Sequence, residues 1–173
     1  MNEVIHNIIT RRSCKKYKPD SVPQEMVDQI IEAGLYAASA MGEQSPIILA
    51  VTDKETRDKI SLINRKYDFR KRPDPFYGAP VVLVVLVPKE ASTRVYDGSL
   101  VMGNMMLAAH SLGIGSCWIH RAKESFEDPE GKEILQAAGI TGEYEGIANC
   151  VLGYPETENT TIPARREGRV FKI

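Results

Sequence analysis

Apolar residues recur along the chain at two spacings, and the elements follow from which spacing holds where. Between residues 2 and 10, Val4, Ile5, Ile8 and Ile9 fall at helical intervals. The polar block Arg11-Arg12-Ser13-Cys14-Lys15-Lys16 comes directly after and Pro19 closes it, so a short helix delivers a basic loop. Ser21, with Gln24 three positions on and Pro23 between, predicts the start of a second helix. Its Val27, Ile30, Ile31 and Leu35 make one face, and it runs to about Ala38. Ile47 to Thr52 is β-branched and apolar, and Asp53 is placed to cap a third helix through Asn64. Tyr67 to Gly78 is a loop rich in Pro, Arg and Lys that either covers something or stays mobile.

The run from Pro80 to Val87 is apolar at every position, the pattern of a strand buried on both faces, so helices are expected on both sides of the sheet. Asp97 to Leu112 places Leu100, Val101, Asn104, Met105, Leu107 and Ala108 at helical spacing and ends at Gly113. A helix so apolar is expected in the interior. Ser116 to Ile119 reads as a short strand, Glu130 to Ala138 as an amphipathic helix stopped by Gly139, and Ile147 to Leu152 as a last strand. Thr157 to Ile173 is a polar arm without periodicity. No repeat or linker interrupts the pattern, so residues 1–173 are expected to form one domain.

Composition narrows the function classes. With 22 basic and 23 acidic residues the chain has no global charge for nucleic acid or an anionic membrane, and 43% hydrophobic residues suffice for a packed core. The longest apolar run is far short of a bilayer span. Glu3 and His6 sit where a signal peptide would be apolar, so a cytoplasmic protein is expected. Cys14, Cys117 and Cys150 are odd in number and widely spaced, which fits reduced thiols better than a disulfide framework.

Several chemistries lack a carrier. Gly113-Ile114-Gly115-Ser116 resembles the opening of a dinucleotide fingerprint, but Trp118 stands where its third glycine belongs and the stretch follows a helix. There is no Walker loop and no nucleophile elbow. His110, Cys117 and His120 have no zinc-ligand spacing, and as a Cys-His nucleophile pair they lack an orienting third group, so no metal is expected. The block Arg11, Arg12, Ser13, Lys15 and Lys16 does carry the groups that hold a phosphate monoester, although a solvated surface patch accounts for it better when it is taken alone. A second element is the run Ala37 to Pro46, whose small side chains would let a backbone approach a flat ligand.

With these in place the chain resembles the FMN-dependent nitroreductase family over residues 4 to 173. The shared features, in order, are R-R-S-x-[RK]-x-Y at Arg11 to Tyr17, the A-x-S-A turn with Gln44, and D-P-x-Y-G-A-P at Asp74 to Pro80. N-M-x-L-A-A at Asn104, G-x-G-S-C-W-I at Gly113 and L-G-Y-P at Leu152 follow. The resemblance implies an α+β fold, a three-layer α/β/α sandwich with a central mixed sheet. It also implies a homodimer with exchanged terminal arms, in which FMN sits at the interface and cycles between NADH or NADPH and a small-molecule acceptor such as a nitroaromatic or quinone. It places Arg11, Arg12 and Ser13 at the FMN phosphate and ribityl chain and Lys15 at the pyrimidine edge. Ser39, Ala40, Met41 and Gln44 would come from the other subunit, and Trp118, Ile119, His120 and Arg121 would lie beside flavin N5. Arg165, with Arg166, would belong to the arm that closes on the phosphate. Ala38 stands where the family commonly has proline, Gly42 where it has asparagine, and His120 where a small residue is frequent, which bears on substrate preference. Action on another substrate, or a non-catalytic flavin-binding module, remains the alternative.

Overall fold

The computed structural model describes residues 1–157 and 159–173. Six α-helices and four strands follow one another as α1 (Glu3–Thr10), α2 (Gln24–Leu35), β1 (Ile47–Val51), α3 (Lys54–Lys66), β2 (Val81–Pro88), α4 (Arg94–Ser111), β3 (Gly115–Ile119), α5 (Ala122–Glu127), α6 (Pro129–Ala137) and β4 (Tyr144–Gly153). The strands form one sheet in the order β1-β2-β4-β3, and each neighbouring pair is antiparallel. The expected mixed sheet therefore reduces, among the described residues, to a single parallel bridge between Ser13 and Ser116.

The uninterrupted apolar run of β2 is explained by the two layers it serves. Val81, Leu83, Val85 and Val87 join the α2 and α4 side, where Val27, Ile30, Met102 and Met105 pack. Val82, Val84 and Leu86 join the other side, with Ile60 and Ile63 of α3 and Phe126 of α5. Successive side chains point to opposite faces, so a polar residue anywhere along β2 would be buried. Helices thus cover both faces, as the pattern predicts.

Three local expectations change. Helix α2 starts on Pro23 without a side-chain cap, so Ser21 does not cap it; Pro at the boundary supplies the preset φ instead. Asp53, in contrast, accepts from the Thr56 amide at 2.8 Å and caps α3 as expected. Helix α4 is not interior all round. Val101, Met102, Met105 and Ala109 meet the sheet layer, while Val95, Tyr96 and Leu100 are exposed on the opposite side. The six-residue α5 carries too short a pattern to be read from periodicity.

The loop from Tyr67 to Gly78 is tied down. Asp74 accepts from Arg57, from the Ser61 hydroxyl at 2.6 Å and from the backbone amides of Phe76 and Gly78. Arg57 also donates to the Ala79 carbonyl at 2.8 Å, and Phe76 is fully buried. The D-P-x-Y-G-A-P motif is thus a carboxylate knot that seats this loop on α3 just before β2 begins. The arm after Thr157 has no regular structure among the described residues and is exposed, as the sequence predicts. Among those residues no helix is long and apolar enough to cross a bilayer.

Candidate functional site

Helix α1 ends at Thr10, and the basic segment after it runs along the free edge of β3. Ser13 bridges Ser116, the Cys14 amide donates to the Ser116 carbonyl at 2.8 Å, and Tyr17 bridges Pro155. The crossing is close. A Cβ on Gly115 would stand 2.8 Å from Cys14 Cβ and 2.9 Å from its sulfur, so only glycine fits there. Gly113, with φ +73°, is the left-handed stop that ends α4. The two glycines that resemble a nucleotide fingerprint are therefore a helix stop and a chain crossing.

Together these pieces bound a cleft of about 800 Å3. Arg12, Ser13, Lys15 and Lys16 form one wall, His110 and Gly113 to Ser116 another, and Thr157, Asn159 and Thr160 of the C-terminal arm a third. Arg12 holds the arm through Nε to the Thr161 carbonyl at 2.8 Å, and its Nη1 donates to the carbonyls of Ile9 and Arg11. Its Nη2, however, is buried without an acceptor among the described residues, as are Arg11 Nη1 and the Ser116 hydroxyl. Leaving a charged donor buried and unpaired costs more than leaving a neutral one, so the Arg12 guanidinium and the Ser116 hydroxyl on the cleft wall, with Arg11 next to Arg12 in the chain, suit an anion. Residues Arg11, Arg12 and Ser13 thus fit a phosphate group.

His110 closes the α4 side of the cleft. Its Nε2 lies 2.9 Å from Thr10 Oγ1, and burial, followed by the charges of Arg11, Arg12 and His6, holds its pKa below the ordinary value, so the ring is neutral at pH 7. Burial likewise raises the Cys117 thiol, despite Ser13 and Lys15 nearby, and removes it from thiolate chemistry.

The stretch Trp118 to Arg121 leaves the far end of β3. Ile119 is buried and His120 exposed, while Arg121 adopts φ +70°, ψ 22°, a left-handed conformation costly for a side chain with a Cβ. What holds it is a buried clamp. Asn64 of α3 donates to the His120 carbonyl at 2.9 Å and accepts from Arg121 Nη2 at 3.1 Å, and Asp68 lies 3.7 Å from Arg121 Nη1. Ser125 takes the Arg121 carbonyl at 2.7 Å and Asn149 the Ile119 carbonyl at 3.3 Å. Three consecutive carbonyls are thereby occupied, whereas the amides of His120 and Arg121 find no acceptor among the described residues. The Arg121 side chain points into the clamp. Asp68 is fully buried, and its hydrogen bond from Arg72 holds its carboxyl well below the usual range.

The turn holding Ser39, Ala40, Met41 and Gln44 lies elsewhere. Met41, Gly42 and Gln44 all have positive φ, Met41 is 96% exposed, and the Ala40 amide donates to Asp97 near the start of α4. Asp97 and His110 are 13 residues apart on one helix, so this turn and the basic cleft are separated by about 20 Å. One chain does not bring them together. Arg165 donates to the Pro163 carbonyl, Arg166 is exposed, and neither lines the cleft. The sequence raised His110 and Gly113 to Ser116 for other chemistry and did not place them in a cleft, and it did not single out Thr157, Asn159 and Thr160 of the arm. Small residues at a helix stop followed by a serine were the only signal of the Gly113 to Ser116 wall.

A family model described as the Nitroreductase family matches residues 8–154. A relative from Methanothermobacter thermautotrophicus named "Putative NADH dehydrogenase/NAD(P)H nitroreductase" is 33% identical over 120 residues, which span 67% of this chain and 60% of the relative. An FMN reductase [NAD(P)H] from Bacillus subtilis is 26% identical over 179 residues, spanning 94% of the chain and 70% of the relative. A crystal structure of a nitroreductase with bound FMN from Bacteroides fragilis superposes with a TM-score of 0.91 at 26% identity and covers 100% of both chains.

Proposed function

The chain belongs to the nitroreductase family, and from that premise we propose that it is an FMN-dependent oxidoreductase that takes a hydride from NADH or NADPH and passes electrons to a nitroaromatic, quinone or related acceptor in a ping-pong cycle. The observation that carries this reading is the buried, unpaired guanidinium nitrogen of Arg12 on the cleft wall, with that of Arg11 next to it in the chain. It is supported by relatives whose names include an FMN reductase and by the FMN-bound structure of the same fold.

Arg11, Arg12 and Ser13 would hold the FMN phosphate, joined by the Ser116 hydroxyl, and Lys15 would lie at the pyrimidine edge. Bound flavin supplies the hydride and electron chemistry. The chain's part is to bind, to orient and to set charge. Lys15 offers a fixed cation where negative charge develops on reduction. Trp118, Ile119, His120 and Arg121 would face the ring, with the amides of His120 and Arg121 free to donate.

The second half of the pocket, Ser39, Ala40, Met41 and Gln44, would come from another copy of the chain, because about 20 Å of α4 separates it from the first half within one copy. Val4, Ile5 and Ile8 of α1, Tyr96 and Leu100 of α4, and Phe171 of the arm are all exposed apolar side chains that a homodimer would cover. Arg165 and Arg166 would then find a role through that exchange of arms, and the dimer would be cytoplasmic. The test is anaerobic. A yellow preparation should bleach with NADH or NADPH and recover its colour when nitrofurazone or menadione is added. A preparation that binds FMN but never bleaches is a binding module instead.

A further inference from the structure

The segment Arg65 to Arg72 holds five basic residues and one acid, and apart from Asp68 in the clamp nothing above gives it a role. Its single acid is consumed internally. The buried Asp68 carboxylate accepts the Arg70 and Arg72 amides and the Arg72 guanidinium, while the Asp68 carbonyl accepts the Lys71 amide at 2.9 Å. This knot forces Phe69, Arg70 and Lys71 outward. Phe69 is 81% exposed, the Arg70 guanidinium stacks on it 5.4 Å from the ring centroid, and Lys71 takes a left-handed φ of +49°. Strain of this kind persists only where the surroundings enforce it. Lys66 is paired with Asp128 and Glu130 and Arg72 with Asp68, but Arg65, Arg70 and Lys71 have no carboxylate partner among the described residues.

The position of this tip matters as much as its charge. Asp68 also faces Arg121, so one carboxylate ties the cationic tip to the Trp118–Arg121 turn, at the ring end of the proposed flavin site. An exposed aromatic with an arginine stacked on it suits a purine, and two cations beside it without a carboxylate partner, Arg70 and Lys71, the latter donating only to the Lys66 carbonyl at 2.8 Å, suit a phosphate dianion. We propose that Phe69, Arg70 and Lys71 form the docking site for the adenosine 2′-phosphate of the reduced dinucleotide, so that the protein prefers NADPH to NADH. This rests on the oxidoreductase reading above. NADH lacks the 2′-phosphate and gains nothing from the two cations.

Two measurements test it on the FMN-loaded protein. In steady-state assays the wild type should favour NADPH over NADH at least tenfold in kcat/KM. An Arg70→Ala, Lys71→Ala variant should lose at least tenfold for NADPH, through KM, with a loss at least five times larger than for NADH and an unchanged melting temperature. In calorimetric titration 2′,5′-ADP should bind the wild type and not the variant, while 5′-AMP binds neither at the same concentration. Equal use of both dinucleotides by the wild type, equal losses for both in the variant, or equal binding of 2′,5′-ADP to both proteins would overturn the proposal. Should neither dinucleotide bleach the flavin, the oxidoreductase reading fails, and the 2′,5′-ADP titration still decides the tip on its own. If the double alanine variant does not fold, Arg70→Gln with Lys71→Gln keeps the bulk and removes the charge.

Discussion

At the scale of single residues, the cleft is defined by what its polar atoms lack. Arg12 spends two of its three nitrogens on backbone carbonyls and leaves the third buried and free, while Arg11 leaves Nη1 free. Arg11→Ala should weaken FMN binding by about 1.5–3 kcal/mol, the worth of a hydrogen bond to a charged group. Flavin titration reads this, and unaltered affinity would return the arginines to a surface role. Lys15→Met should make the bound flavin harder to reduce, since a cation is removed where negative charge accumulates. A loss of ~1.4 kcal/mol is ~30 mV for a two-electron couple, within reach of a dye-equilibrated titration. A midpoint that holds or rises with FMN fully bound would move Lys15 away from the pyrimidine edge. The basic block was legible in the sequence because charge types and spacing are local. His110 and Gly113 to Ser116 stood out for other chemistry and not as a cleft wall, because they enter the cleft only through the crossing of Cys14 over Gly115, a contact between segments about a hundred residues apart.

At the scale of elements, the turn between β3 and α5 depends on α3 and on the loop that follows it. Asp68→Asn keeps the shape of the clamp but leaves Arg72 and Arg121 without their shared charge, and should cost ~3 kcal/mol. The sign with pH is fixed by the depressed carboxyl. Its contribution is present above the unfolded value of about 4 and is lost as pH falls through that value toward the lower folded one. Denaturant titrations of both proteins should therefore differ most at pH 7 and draw closer as pH falls below about 4, and a gap that does not narrow there would mean that Asp68 is not the group responsible. Periodicity located the strands and the longer helices, and the Asp53 cap, because those signals are carried within a few residues. It misjudged α4, since an apolar helix half covered by its own sheet and half bare has the same composition as one buried all round. The Tyr67 to Gly78 loop read as a cover or a mobile segment because its anchors reach outside it, Asp74 to Arg57 and Ser61 of α3 and Asp68 to Arg121 just before α5.

At the scale of the whole molecule, a two-layered core explains why β2 tolerates no polar residue, and the exposed apolar sides of α1 and α4 are surfaces that the proposed homodimer would cover. Light scattering should report a homodimer carrying about one FMN per chain; a monomer that binds FMN tightly would overturn the shared pocket. The location of Ser39 to Gln44 near one end of α4 and of Arg11 to Lys15 near the other has a genetic consequence. Each chain would give its two halves to different pockets, so damage at the two ends should complement. Arg11→Ala and Ala40→Trp chains, each defective as a homodimer, should together make mixed dimers in which one pocket inherits both intact halves and the other both lesions. Each mixed dimer would regain half of its flavin capacity, about a quarter overall if the two chains pair at random, and no return at all would mean that both halves serve the same pocket.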